Sequence, residues 1–530
     1  DLRVVVEFEY SERNYLRSAV YANTELETKK VDVRFNLFSE QDTKNQNVQQ
    51  DLNAGKKQFM STIGDSIQNA LYPGFDSVAY DANRVLYRMV DTLGYDSVFV
   101  YSTDPANAKY AVNFSYVGEG NGRYAVSSST ANGRVYQWLA PFFDTLSGTY
   151  LYSGAYEPIV LLITPKYQQL YTLGSTYRIN ANNTLAADVA MSNNDVNMFS
   201  KKDNQDNIGF AARMNYKGSF ITKADSVSKK KQMLSLDVNY EFLQDRFTTI
   251  ERYRNVEFNR DWNLLVNEKR YNEHLAVANL NYVWSDLGTM GYRFKAYVQD
   301  TAYQGYENAI NGAFTKGGLN SSFYASYLHS KTSIQSTDFI RPKAEISYAF
   351  SKIKGWRLGG LFDHEINRIK ATGADTLSRN SYLWQNYKVY FTSPDTMQNK
   401  YTIEFIQRYE HRAIGDGFDK FHFGAQTVNF IGNINSIKNH TLNYTLTYRH
   451  AKDADSSASR QPEHFYLGRI DYSFSALKGV FRSTTLYEIG SGRQQKTQEI
   501  YQRSPTNQGE FAYAGDYNEK IGRASCRERV

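Results

Sequence analysis

Apolar and polar positions alternate with a period of two along most of this chain. Val31, Val33, Phe35 and Leu37 alternate with Asp32, Arg34 and Asn36; Leu234, Leu236, Val238, Tyr240 and Phe242 alternate with Ser235, Asp237, Asn239 and Glu241. The same rhythm runs through Ala344, Ile346, Tyr348 and Phe350, and through Leu442, Tyr444, Leu446 and Tyr448. Similar stretches lie near 14–22, 171–180, 184–192, 208–217, 274–284, 289–298, 381–391, 401–409, 465–474 and 480–489. Each predicts a strand with one apolar and one polar face, because side chains project alternately from a pleated backbone. Their length, about ten residues, exceeds the five or six usual in water-soluble sheets.

The connections alternate in length. Ser285-Asp286-Leu287-Gly288, Ser351-Lys352-Ile353-Lys354-Gly355, Asn435-Ser436-Ile437-Lys438-Asn439, Ser475-Ala476-Leu477-Lys478-Gly479 and Lys316-Gly317-Gly318 read as short turns. Longer polar connections fall near 193–207, 243–273, 329–340, 365–380, 410–420 and 451–464. Sorting of loop length by end is what an up-and-down sheet shows, and Greek-key sandwiches have no reason for it. The expected fold is therefore all-β: a fragment, complete or incomplete, of a large antiparallel up-and-down transmembrane β-barrel with an inserted small soluble domain. Charged strand residues (Arg213, Asp237, Glu241, Arg293, Lys295, Glu345, Arg357, Lys388, Glu404, Arg449, Arg469 and Asp471) are expected to face the lumen; their mixed signs argue against strong ion selectivity. Tyr- and Phe-rich strand ends suit aromatic girdles.

Residues 46–170 break the rhythm. Phe59, Ile63, Ile67 and Leu71 predict a short helix over Lys57 to Leu71, followed by a turn-rich link and irregular strands. The expected organisation is first barrel strands at 1–45, an inserted domain at 46–170 (a plug or a surface domain), the main strand run at 171–490, and the start of a small β module at 491–519. The last eleven residues, 520–530, match the conceptual translation of a common sequencing adapter and are expected to be an artefact.

The chain has 530 residues, of which 43 are Tyr, 31 Phe and one Cys, with a mean hydropathy of -0.59. The aromatic content excludes a disordered chain, and the single Cys excludes a disulfide scaffold or a Cys-rich metal site. The 520–530 stretch holds four of the 61 basic residues and one of the 55 acidic ones, leaving 57 against 54. So slight an excess of positive charge gives no case for nucleic-acid binding.

Chemistry-bearing motifs are sparse. His364-Glu365-Ile366-Asn367-Arg368 begins like a zinc-protease helix but lacks the second His and lies on a strand, so no catalytic residues are expected. Gly118, Gly120 and Gly122 suit a tight turn rather than a nucleotide loop. Asp516-Tyr517-Asn518-Glu519 opens like a calcium loop, making Asp516 and Asn518 candidate metal ligands; an ordinary Asx turn is the plainer account, and no other cofactor is expected. Asn193, Asn194, Asp195 and Asn197 form a second oxygen-rich loop.

Several phrases resemble the large outer-membrane β-barrel proteins of Bacteroidota. They are Glu12-Arg13-Asn14-Tyr15-Leu16-Arg17-Ser18, Glu40 to Gln46, Tyr116 to Tyr124, Tyr156-Glu157-Pro158, Ser192 to Ser200, and Gln508-Gly509-Glu510-Phe511 with Asp516-Tyr517-Asn518. The insertion also resembles, by architecture alone, the plug of fimbrial ushers. The resemblance implies a Gram-negative outer-membrane location, lipid as a partner, and a conduit or assembly platform for exported protein or glycan. The competing expectation is a secreted or surface-attached β-sandwich that binds glycans through exposed aromatics.

Overall fold

In a computed structural model of the chain, residues 2–11, 17–43, 52–144, 148–224, 231–265, 269–284, 286–419, 422–453 and 463–491 are described. The fold is all-β, and the described residues are dominated by one antiparallel sheet of 20 strands, one of which is the two-residue hairpin arm Gly417–Phe418. The remaining 19 form a wall in simple up-and-down order, each hydrogen-bonded to the strand before and after it, from Leu2–Ser11 to Phe481–Gly490. This is the expected large antiparallel up-and-down barrel architecture. The insertion leaves after Val31–Asp42 and returns at Tyr167–Asn180, and those two strands pair directly (Leu37 opposite Tyr171).

Register shows which residues share a face. Directly opposed residues lie on the same side of a sheet, and so do residues two apart on a strand. Arg213 opposes Glu241, Glu241 opposes Leu275, and Leu275 opposes Tyr297, two residues beyond Lys295. Tracing on through Arg293 opposite Ala309, Ser326 opposite Arg341, Leu361 opposite Lys388, Glu404 opposite Asn429, Thr427 opposite Arg449 and Thr445 opposite Arg469 puts all twelve expected lumenal charges on one face.

The other face carries Leu173, Val189, Phe210, Met214, Val238, Leu280, Ile310, Ile346, Leu358, Val389, Phe405, Phe430 and Leu446, all exposed. Among the described residues no second sheet packs on it. A sandwich would bury this face against a partner layer, so the sandwich expectation has no structural counterpart.

The short turns share a backbone device. Lys354 and Gly355, and Leu477, Lys478 and Gly479, take left-handed φ values that reverse the chain after a single 3-10 turn. Strands run longer than the sequence pattern suggests: Ile208–Ala224 spans 17 residues and Gln335–Phe350 spans 16. Two expectations need correction as a result. The stretch 329–340 is not a long loop but the tip of a hairpin, with Thr332 and Gln335 flanking a two-residue turn. The predicted helix over Lys57 to Leu71 stops early: the α-helix is Ala54–Thr62, capped by the Asn53 side chain on the Lys56 N–H, and Gly64 (φ 65°) turns the chain away before a 3-10 turn at Ile67–Asn69. That leaves Leu71 on a short strand and exposed.

Candidate functional site

The inner face of the wall and the connection folded against it form the molecule's most elaborate polar structure. The connection between Lys231–Leu243 and Glu273–Trp284 is rich in arginine and aromatics, and its one helical turn, Phe258–Asp261, brings Trp262 to the wall. Trp262 is buried with Tyr297, Tyr303, Leu328 and Phe339, and Phe258, Leu264, Leu275 and Tyr382 pack around them. Every wall residue in that cluster is on the polar face. The sequence reads this segment as one of the longer polar connections; its aromatics draw it against the wall.

Ionic contacts hold it there. Glu307, buried on the wall, accepts from Arg293 (3.0 Å), Lys295 (3.1 Å) and Arg341 (3.0 Å). Arg341 also reaches Asp261 of the connection at 2.6 Å, and Arg260 reaches Glu365 at 2.6 Å. The amides of Asn263 and Asn367 donate to each other at 3.1 and 2.7 Å. The Tyr303 hydroxyl donates to the Trp262 carbonyl, and Arg254 bridges Glu241 (2.7 Å) and Glu273 (2.9 Å).

At its start the connection reaches the opposite way: the Gln168 amide donates to the Thr249 carbonyl at 3.3 Å, and the Thr248 N–H donates to the Ser192 hydroxyl at 3.0 Å. The connection thus spans the polar face of the sheet from the Tyr167–Asn180 and Asn183–Asp195 strands to Gln335–Phe350 and Trp356–Ala371.

His364 and Glu365, the pair that opens like a zinc-protease motif, project to opposite faces: Glu365 joins the inner network while His364 rests on Phe362 and Tyr387. Among the described residues no cluster of three or more His, Cys, Asp or Glu is arranged to hold a metal. The candidate calcium ligands Asp516 and Asn518 lie outside the described residues.

The oxygen-rich loop at 193–197 has a structural use. Asp195 accepts the Asn197 N–H at 2.8 Å, and the buried Asn197 amide donates to the carbonyls of Met60 (2.8 Å) and Gly64 (2.7 Å). The Ser200 hydroxyl donates to the Ser61 carbonyl, and Phe199 packs on Met60, Ala70 and Leu162. The loop thus clasps the C-terminal end of the insertion's helix. Asp65 sits in this clasp with Asp195, Asp203 and Asp206 around it. Burial first, then those three carboxylates, raise its pKa to about 6.

The described parts of Glu12–Ser18 and Glu40–Gln46 lie at the same rim, Tyr116–Tyr124 and Tyr156–Pro158 lie in the insertion, and 508–518 falls outside the described residues. Asp42 accepts from Arg17 at 2.9 Å and from the Lys166 N–H at 2.8 Å, tying both ends of the insertion's root to the wall. Farther out, Arg123 makes a two-pronged pair with Glu157, and Tyr124 opposes Tyr156. Gly122 is required there, since a Cβ would fall 2.4 Å from the Tyr156 nitrogen. The insertion's core is aromatic: Tyr87, Phe99 and Tyr124 are buried, with Phe75, Phe114, Tyr136 and Tyr156 around them. Burial pushes the Tyr87 hydroxyl up to about 12, and it accepts the Tyr136 N–H.

No family model and no curated protein matches the chain. Among solved structures it is similar to the FrpB iron transporter from Neisseria meningitidis (F3-3 variant), at a TM-score of 0.32 and 6% identity over 89% of this chain and 71% of that one. It is also similar to Acinetobacter baumannii OccAB2, at a TM-score of 0.24 and 11% identity over 62% of this chain and 93% of that one.

Proposed function

We propose that this protein is an outer-membrane barrel serving as a conduit for exported surface material, narrowed by the 244–272 connection and capped at one mouth by the insertion. The observation that carries the reading is the two-faced wall. A continuous exposed band of Leu, Val, Ile and Phe covers one side, and a charged, densely paired network covers the other. Water would not leave such an apolar band uncovered; hydrocarbon is its natural partner. Charges on the inner face stay wet, and most already pair with each other (Lys388 with Glu404 at 3.2 Å, for example), which suits a passage without strong preference for one sign of charge.

The anchoring of the connection by buried aromatics and by the ion pairs of Arg254, Arg260 and Arg341 makes it a fixed narrowing rather than a swinging lid. The insertion roots at the end where the 196–207 and 244–272 connections lie, so it stands over that mouth. In barrels of this type the longer loops face outward from the cell.

The reading is tested by extraction and reconstitution. The protein should partition with membranes, need detergent for release, and migrate faster on gels before boiling than after. Purified protein in planar bilayers should give discrete conductance steps. Release by salt or alkali alone would refute it.

A further inference from the structure

Successive wall strands run antiparallel, so alternate connections lie at opposite ends. The insertion and the 196–207 and 244–272 connections share one rim, and the short turns share the other. Those turns repeat a side-chain pattern as well as a backbone device. Leu287, Ile353, Ile437 and Leu477 are each exposed at a turn, Leu477 at 76% and in left-handed backbone. In three of the four a lysine follows directly (Lys354, Lys438 and Lys478), and Lys352 precedes Ile353; all four lysines are exposed. Among the described residues none of them makes an ion pair.

Solubility alone would account for the lysines but not for an aliphatic side chain beside them. At the insertion's rim the tips differ: Ile334 and Ile414 are exposed there too, but beside Ser333 and, across Gly415, Asp416. The apolar face also changes character as it nears the short turns. Trp284 meets Phe314 at 6.1 Å, Trp356 stacks on Phe391 at 4.9 Å, and Phe350 and Phe481 are exposed. Register puts these aromatics on the same face as the Leu, Val and Ile band. An aliphatic band, then aromatics, then cations is the order in which a bilayer passes from hydrocarbon through its interface to the headgroups.

We propose that the short-turn rim binds anionic glycerophospholipid of the adjoining leaflet. The turn aliphatics enter the acyl boundary, and Lys352, Lys354, Lys438 and Lys478 hold the phosphates. A lysine can lay its apolar stem along hydrocarbon while its ammonium reaches the headgroup. Charge selects the lipid: cations without a protein counter-ion attract a net negative headgroup, whereas the ammonium of a zwitterionic one offsets the attraction. The proposal rests on the membrane reading above, and its test does not depend on transport.

The test reconstitutes the full chain into vesicles of equal parts phosphatidylcholine and phosphatidylglycerol. It is then re-extracted in mild detergent, and the lipid that stays bound is identified by mass spectrometry. Phosphatidylglycerol should exceed phosphatidylcholine by about fivefold, the ratio that one lysine facing an anionic lipid supplies, and high salt should reduce the excess. Combining Lys352→Gln, Lys354→Gln, Lys438→Gln and Lys478→Gln should bring the two lipids level, while arginine at the same four positions should preserve the excess. Lys201→Gln with Lys202→Gln, at the insertion's rim, should preserve it too. The unsubstituted chain's own ratio and salt response decide the matter even if the four-Gln variant does not fold. Equal retention of both lipids by the unsubstituted chain, or an excess that survives the four-Gln change, overturns the proposal and leaves the rim to a protein partner. A chain that enters no vesicle refutes the membrane reading and this proposal with it, whereas one that inserts without preference overturns this proposal alone.

Discussion

Glu307 carries more of the inner network than any other single side chain, because it is buried and answers three cations at once. Replacing it by Gln keeps the shape and removes the charge. Arg293, Lys295 and Arg341 would then face each other without a counter-ion, and Arg341 would hold Asp261 alone. Stripping one partner from a buried ionic cluster costs about 3–5 kcal/mol. We expect Glu307→Gln to lower the denaturant midpoint of the folded, unboiled gel form, whereas Asp471→Asn, in an exposed pair with Arg469, should leave it nearly unchanged. Equal effects of the two substitutions would mean that the inner network does not stabilise the wall. Asn197 is the second residue of this kind. Its amide serves two carbonyls of the insertion's helix end, so Asn197→Ala should cost about 2 kcal/mol locally, seen as faster proteolytic release of the insertion with the wall intact.

At the level of elements, the clasp at 195–206 couples the insertion to protons. The carboxyl of Asp65 has a pKa raised to about 6 from 3.8 when docked. A raised folded-state pKa means that the docked form binds the proton more tightly than the undocked form. The resulting stabilisation is fully present below 3.8 and is lost as pH rises through about 6. The amides of Ala54–Thr62, corrected for intrinsic exchange, should therefore be better protected at pH 5 than at pH 7.5. Asp65→Asn should remove most of that difference, and a difference unchanged by Asp65→Asn would assign the effect to other groups. The 244–272 connection makes the complementary prediction. Trp262→Ala empties the centre of its anchor, so single-channel conductance should rise and become noisier, while a wall-only function would leave it unchanged.

What could be read from sequence at this level follows from period. Two-residue alternation is a local signal and it located most wall strands, the two faces and the short turns. It missed Leu2–Ser11, Trp356–Ala371 and Phe423–Ile434, and also Tyr303–Lys316 and Leu319–Thr332, where Gln304, Asn308, Gly312, Ser321 and His329 blur the apolar face. The inward fold of 244–272 depends on contacts between Trp262 and residues up to 77 positions away, such as Phe339, and no local period reports those. One clue was present: Phe258, Trp262, Leu264 and Leu265 are crowded into an otherwise polar connection. The quoted phrases had a use that spacing alone did not disclose, because Arg17, Asp42, Asn197 and Ser200 meet only at the insertion's root.

For the whole molecule, the deciding question is what touches the apolar face, and adjacent residues of one strand can answer it. Phe430 is exposed on the apolar face, and its neighbour Asn429 points inward beside Glu404. If hydrocarbon covers the outside, a lysine at 430 must bring its ammonium into lipid, at a cost of about 2–4 kcal/mol near the midplane. A lysine at 429 meets water and the Glu404 carboxylate, so its cost should be small. If both faces meet water, the order reverses: Phe430→Lys replaces a wet aromatic with a soluble side chain and improves solubility, while Asn429→Lys adds a cation next to Lys388 and loses the hydrogen bond from Thr447. Refolding yield into detergent or lipid vesicles, measured by the unboiled gel shift, separates the two cases with a single pair of variants. A larger loss for Phe430→Lys is the outcome a membrane-embedded wall requires, and a larger loss for Asn429→Lys would place the whole sheet in water.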